Sequence, residues 1–129
     1  MRSKTSLYGE NAGRIWKVVN EKSSVDEQTL KQITMLNNEE FHAAIGWLAR
    51  ENKIKKTDDA YSLDDSNLEK DIGTTAGRIW KILDIWEEAD IHTLKKLADT
   101  PDEDIYAGLG WLAREGKVDI SEQNRFYLK

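Results

Sequence analysis

The chain repeats itself at a fixed offset of 64 residues. From Gly9 to Lys53, 20 of 45 positions are identical to the residues 64 places later, without a gap. The hexapeptide GWLARE stands at Gly46–Glu51 and again at Gly110–Glu115. A long period that occurs only twice indicates two small domains in tandem rather than a solenoid. We therefore expect copy 1 at residues 1–64 and copy 2 at residues 65–129, with a polar linker at about 64–71.

Within each copy the apolar residues first follow a helical period and then alternate. Three helices are predicted, beginning near Asn11, Asp26 and Asn37 in copy 1 and near Thr75, Asp90 and Thr100 in copy 2. In copy 2 the third helix should use Thr100 as its cap, Pro101 as its first residue and Glu103 to complete a capping box. Short alternating segments on either side of a polar turn then predict a β-hairpin. The fold class is mainly α with small β-hairpins (α+β).

The glycine and tryptophan of GWLARE lie in the interior of the third helix. A glycine there costs about 1 kcal/mol relative to alanine, so Gly46 and Gly110 should admit either another backbone or a large ring. The ring of Trp16 or Trp80, placed in the core, is the candidate for the second alternative. Two interpretations of the GWLARE tryptophans, Trp47 and Trp111, remain open. They fix the third helix to the first helix and the hairpin, or they are contact residues that pair copies or chains, with Tyr8 as a further interface residue.

Three runs of residues carry a resemblance to a known family: GENAGRIW, GWLAREGKV and the aromatic-x-Leu end of the hairpin. Together they resemble small prokaryotic winged helix-turn-helix proteins of uncharacterised function, here as a tandem of two copies. The resemblance covers almost all of both copies. It implies three helices and a wing in each copy, and it brings no established chemistry with it.

The charge distribution bears on whether such a fold contacts DNA. Residues 1–64 hold 10 Lys+Arg and 10 Asp+Glu, whereas residues 65–129 hold 9 and 14, so the net charge of −5 lies in copy 2. The third helix, which normally enters the major groove, opens with three acidic residues in copy 2. Copy 1 is the better candidate for double-stranded DNA. Its predicted contact residues are Lys31, Asn38, His42, Lys53, Lys55 and Lys56.

The second interpretation is a protein–protein interaction or scaffold module that binds no nucleic acid. It depends on the acidic third helix of copy 2 and on the five tryptophans. Either interpretation allows the two copies to pack on each other within the chain. We expect that contact to use the first helix or the segments Leu7-Tyr8 and Ile72.

Other function classes find little support in the sequence. The chain has no cysteine and only two histidines, which excludes disulfides and Cys/His zinc sites. No nucleophile–base arrangement and no glycine-rich phosphate loop stands out, so we predict a non-enzymatic protein without cofactor or metal. The absence of a long apolar run predicts no membrane span or secretory signal, and hence a cytoplasmic protein.

Overall fold

Each half of the chain folds as three helices, a short strand between the first two, and a terminal hairpin. The computed structural model describes residues 4–129 and confirms the α+β fold class. Copy 1 contains α1 (Ser6–Lys22), β1 (Ser24–Asp26), α2 (Glu27–Thr34), α3 (Asn38–Arg50), β2 (Ile54–Thr57) and β3 (Ala60–Leu63). Copy 2 contains α4 (Glu69–Trp86), β4 (Glu88–Ala89), α5 (Ile91–Ala98), α6 (Asp102–Arg114), β5 (Val118–Ile120) and β6 (Phe126–Leu128).

Side-chain caps fix where three of the helices begin. The Asp26 and Asp90 carboxylates each accept a hydrogen bond of 2.8 Å from the backbone N–H of the threonine three residues on, as predicted. These bonds stabilise the ionised carboxylates and lower the pKa of both aspartates. Asn37 caps α3 in a full capping box with Glu40.

The predicted cap of the third helix in copy 2 is wrong. Pro101, not Thr100, occupies the cap position of α6, and no side chain caps this helix. The Thr100 hydroxyl instead donates to the carbonyl of Ala98, 2.9 Å away, at the end of the preceding helix. Pro101 stands where the repeat has Asn37, so copy 2 keeps the position of the cap but not its hydrogen bond.

The first helix of each copy begins earlier than the sequence pattern predicts. α1 begins at Ser6 and α4 at Glu69, one turn or more before Asn11 and Thr75. The predicted linker at 64–71 is therefore shorter, because residues 69–71 already belong to α4. The added turns bury side chains against the opposite copy. This packing stabilises them, and no local sequence pattern indicates it.

Each hairpin joins a three-stranded antiparallel sheet. The strand orders are β1-β3-β2 and β4-β6-β5, so the last strand of each copy lies in the middle. In copy 1, Val25 pairs with Tyr61, and both side chains are buried under the helices. The strands β1 and β4 were not predicted, since two or three residues are too few to show alternation.

The two cores are built from the helical stripes and the sheets. Phe41, Ile45 and Leu48 of α3 are almost fully buried, as are their counterparts in α6. The placement of Trp16 and Trp80 in the core is wrong: both side chains are 39% exposed. Their helices turn Ile15 and Ile79 inward instead, and the next residue lies about 100° around the helix.

Candidate functional site

The third helices of the two copies pack directly against each other. This α3–α6 contact is the most extensive one between any two elements of the described chain. Its closest approach joins Gly46 to Ala107 and, by the internal symmetry, Gly110 to Ala43. A Cβ on Gly46 would lie 2.7 Å from the carbonyl carbon and 3.0 Å from the Cα of Ala107, with the carbonyl oxygen closer still. The neighbour that these glycines admit is therefore the other helix backbone, not the ring of Trp16 or Trp80.

Two symmetry-related ion pairs frame this contact. Arg50 Nε lies 3.1 Å from Glu115 Oε2, and Arg114 Nε lies 2.9 Å from Glu51 Oε2. Each pair joins the two copies, and each uses the Arg and the Glu of GWLARE. The arginines are nearly half exposed, so the pairs contribute orientation more than stability.

Trp47 and Trp111 lie beside these ion pairs. The Arg114 guanidinium is 5.8 Å from the centre of the Trp47 ring, and Arg50 is 5.7 Å from Trp111. Each indole contacts both cores, and each lies against a glycine of its own first helix, Gly9 or Gly73. The GWLARE motif thus joins helix 3 to helix 1 and one copy to the other.

The first turns of α1 and α4 cross to the opposite copy. Tyr8 packs against the core of copy 2, and burial raises the pKa of its hydroxyl well above the ordinary value. Its counterpart Ile72 belongs to the core of copy 1. The predicted contact through these residues is present, but Leu7 is exposed and the larger contact is α3–α6. The sequence signal for that larger contact is the spacing Ala-x-x-Gly, which both third helices contain and which places two small residues on one face.

His42 lies at the edge of the contact between the copies. It is only 8% exposed, so little of its side chain is accessible to solvent. Its Nε2 has no hydrogen-bond partner among the described residues and lies 3.8 Å from Glu103 of copy 2 and 4.0 Å from Glu27. Burial lowers the pKa of His42, although both carboxylates oppose this shift and Lys31 and Lys56 reinforce it.

The counterpart of His42 in copy 2 is Tyr106. His42 lies near a glutamate of copy 2, and Tyr106 lies near the equivalent glutamate of copy 1. Tyr106 lies near Glu39, the counterpart of Glu103. Burial and the nearby carboxylates raise the pKa of Tyr106 to about 12. The same place in the fold therefore holds a neutral hydroxyl on one side of the contact and an imidazole on the other.

The residues predicted to contact nucleic acid fall into two groups. Lys31 donates to Glu27 (3.1 Å) and to Asn38 (2.7 Å). Lys56 also lies toward Glu27, with its Nζ 5.5 Å from the centre of the Tyr61 ring and its backbone N–H bonded to Asn67. The first group, Lys31, Asn38 and Lys56, thus makes its polar contacts within the chain.

Lys53 and Lys55 form the second group. Successive residues of a strand face opposite sides, so Lys55 points away from Lys56. Lys53 is exposed just before β2, and its Nζ lies 3.7 Å from Glu51. The three wing lysines therefore do not form one continuous basic patch.

Among residues 4–129, no three His, Asp or Glu side chains are grouped so that they could hold a metal ion. In that same part of the chain, no helix combines the length and apolar character that a membrane span requires.

Comparison with known proteins reports on both halves of the chain. The family described as winged helix-turn-helix domain (DUF2582) matches residues 1–63 and again residues 66–128. Neither the curated proteins nor the solved structures contain a match. The two matches agree with the repeat and with the two sets of three helices and a wing.

Proposed function

We propose that this chain, which belongs to the DUF2582 family of winged helix-turn-helix domains, is a non-enzymatic binding module that works through protein contacts. Winged helices are widely used to bind DNA, and the same fold also serves as a scaffold. The observation that carries the proposal is the packing of α3 against α6, which turns both recognition helices toward each other.

The dimensions of DNA explain why this packing matters. The major groove is about 12 Å wide and admits a single α-helix with its side chains. Packed helices have axes about 8–10 Å apart, so a helix paired along its length cannot also enter the groove. In α3 every residue from Phe41 to Ala49 except Trp47 is buried.

The exposed first turns of the two helices are also unsuited to DNA. α3 begins with Asn38, Glu39 and Glu40, and α6 begins with three acidic residues. Carboxylates at these positions repel phosphates and offer acceptors where the backbone of DNA needs donors.

Contact of the copy 1 wing with the phosphate backbone is the second candidate function. It is supported by Lys53 and Lys55, which do not lie toward Glu27 as Lys31 and Lys56 do. Copy 2 has Asp119 in place of Lys55. Such contact would be independent of sequence and weak, with a dissociation constant of about 10⁻⁴–10⁻⁶ M at physiological salt.

The test is a fluorescence anisotropy titration of a labelled random-sequence duplex at about 50 mM and about 200 mM salt. The protein-contact proposal predicts no binding at either salt concentration. Binding that weakens steeply with salt and is lost in the Lys53→Glu/Lys55→Glu/Lys56→Glu variant would establish the wing instead. Binding that survives in that variant would refute both proposals.

A positive test of protein contact uses affinity capture followed by reconstitution. A captured protein counts only if the purified pair binds again in isothermal titration. Failure to recover any such partner, together with duplex binding, would leave the wing as the function to pursue.

A further inference from the structure

The end of α4 carries an apolar pair that the fold does not need. Ile85 is 76% exposed and Trp86 is 56% exposed. In copy 1 the same positions hold Glu21 and Lys22, so an identical helix end forms with polar side chains. Exposed aromatic side chains of this size commonly mark contact surfaces.

Acidic residues surround this pair on both sides. Asp84 precedes it, and Glu87 and Glu88 follow it, with Glu88 also paired to Arg125 at 2.9 Å. We call residues 84–88 the acidic plug. A surface that binds the acidic plug should therefore combine an apolar pocket with a cationic rim.

Copy 1 has a groove with these properties between α1 and α3. It measures about 370 Å³, with Gly9, Ala12 and Gly13 as its floor and Trp16 and Trp47 as its walls. The partial exposure of Trp16, which the core does not explain, is accounted for by its place in this wall.

Gly13 is the residue of this groove that internal packing does not explain. Gly9 is required because the Trp47 ring lies against it. Gly46 is required because the backbone of α6 lies against it. A Cβ on Gly13 would meet nothing within 4 Å, and the same holds for its counterpart Gly77. A glycine in a helix interior is destabilising, so its use where space is open points to something that enters from outside.

The rim of the groove is cationic. Lys53 lines it, and Arg114 lies over the Trp47 ring. Glu51 is the single carboxylate of the lining, and Arg114 and Lys53 already pair with it. The acidic plug and the groove are thus complementary in both charge and polarity.

The charge of the two copies decides which groove is favoured. Copy 2 has an equivalent groove at Gly77, Trp80 and Trp111, and its rim is cationic too, with Lys81 and Lys117 in the lining and Arg50 over Trp111. The two grooves therefore differ in the half that carries them, since copy 2 holds the whole net charge of −5. A plug from copy 2 of one molecule is repelled by copy 2 of another and meets no net charge on copy 1.

We propose that the acidic plug of one molecule docks in the copy 1 groove of a second copy of this chain. This inference rests on the proposed function, since it names one partner for a module that works through protein contacts. The contact joins different surfaces on the two molecules, so it is head-to-tail and extends or closes into a ring.

The experiment is sedimentation velocity of the full chain from about 5 µM to about 200 µM, at about 50 mM salt. The wild type should self-associate as concentration rises. Trp86→Ser removes the plug and Gly13→Leu fills the groove, and each should weaken association at least about tenfold, or about 1.4 kcal/mol. Both positions are open, so circular dichroism should show folded variants.

Two further arms make the test specific. Gly77→Leu is the matched control, because it fills the chemically similar groove of copy 2 and should leave association unchanged. An equimolar mixture of Trp86→Ser and Gly13→Leu chains retains one plug and one groove, so it should form a dimer and nothing larger.

Several results would overturn the inference. A wild type that stays monomeric at every concentration refutes it, as does association that persists in both Trp86→Ser and Gly13→Leu. An equal loss with Gly77→Leu refutes the choice of copy 1. None of these results changes the duplex titration, so a monomeric chain that binds no DNA refutes this inference and leaves the proposed function standing.

Discussion

Replacing Gly46 with alanine places a methyl group against the backbone of α6. The new Cβ would lie 2.7 Å from the Ala107 carbonyl carbon, whereas ordinary contact begins near 3.4 Å. The neighbour is helix backbone and cannot rotate away, so α3 and α6 must separate. Overpacking of this kind costs about 1–3 kcal/mol. The gain in helix propensity offsets about 1 kcal/mol of that cost, which leaves a net loss of up to about 2 kcal/mol.

The double variant Gly46→Ala/Gly110→Ala adds a sharper expectation. Both methyl groups force apart the same pair of helices, so the separation that relieves one also relieves the other. The combined loss in free energy of unfolding should therefore be smaller than the sum of the single losses.

The assay is urea denaturation followed by tryptophan fluorescence and circular dichroism. Gly13→Ala is the matched control, because its Cβ enters open space in another helix interior. That variant should gain up to about 1 kcal/mol from helix propensity alone. The same substitution is thus expected to destabilise at one glycine and to stabilise at the other. Equal effects at Gly46 and Gly13 would refute the close approach of α3 and α6.

Three other predictions concern single side chains. Burial lowers the pKa of His42 from 6.5. Below about pH 6.5, His42 is therefore protonated more readily in the unfolded chain than in the folded chain. The free energy of unfolding should fall between pH 7.5 and pH 5.5, and His42→Tyr should reduce this fall in urea melts. Trp16→Ala should cost only about 1–2 kcal/mol, against about 3–5 kcal/mol for Phe41→Ala, and similar losses would mean that the ring is buried after all. Tyr8→Asp should loosen the two copies, and unchanged relative tumbling in NMR relaxation would contradict that role.

Much of the fold follows from the sequence because the repeat supplies a second example of every element. The caps at Asp26, Asp90 and Asn37 were predictable, since each is a local hydrogen bond within four residues. The position of Trp16 was not, because hydrophobicity alone does not tell which side of a helical stripe faces the core.

The candidate site was less accessible to sequence reasoning than the fold. A glycine in a helix interior indicates a close neighbour but does not identify it, and at Gly46 the neighbour comes from the other copy. The burial of His42 depends on α6 lying over it, which no local pattern encodes. The wing lysines are neighbours in the sequence but are separated in the structure. Side chains along β2 alternate between its two faces, and Lys56 is attracted to the Glu27 carboxylate.

The joining of both copies in one polypeptide has a genetic consequence. When two identical chains meet across a two-fold axis, every mutation is made twice and must suit both sides at once. Here a single codon changes one side only, which is how His42 faces Glu103 while Tyr106 faces Glu39. One half of the gene can thus preserve the contact between the copies while the other half acquires acidic residues and an exposed tryptophan.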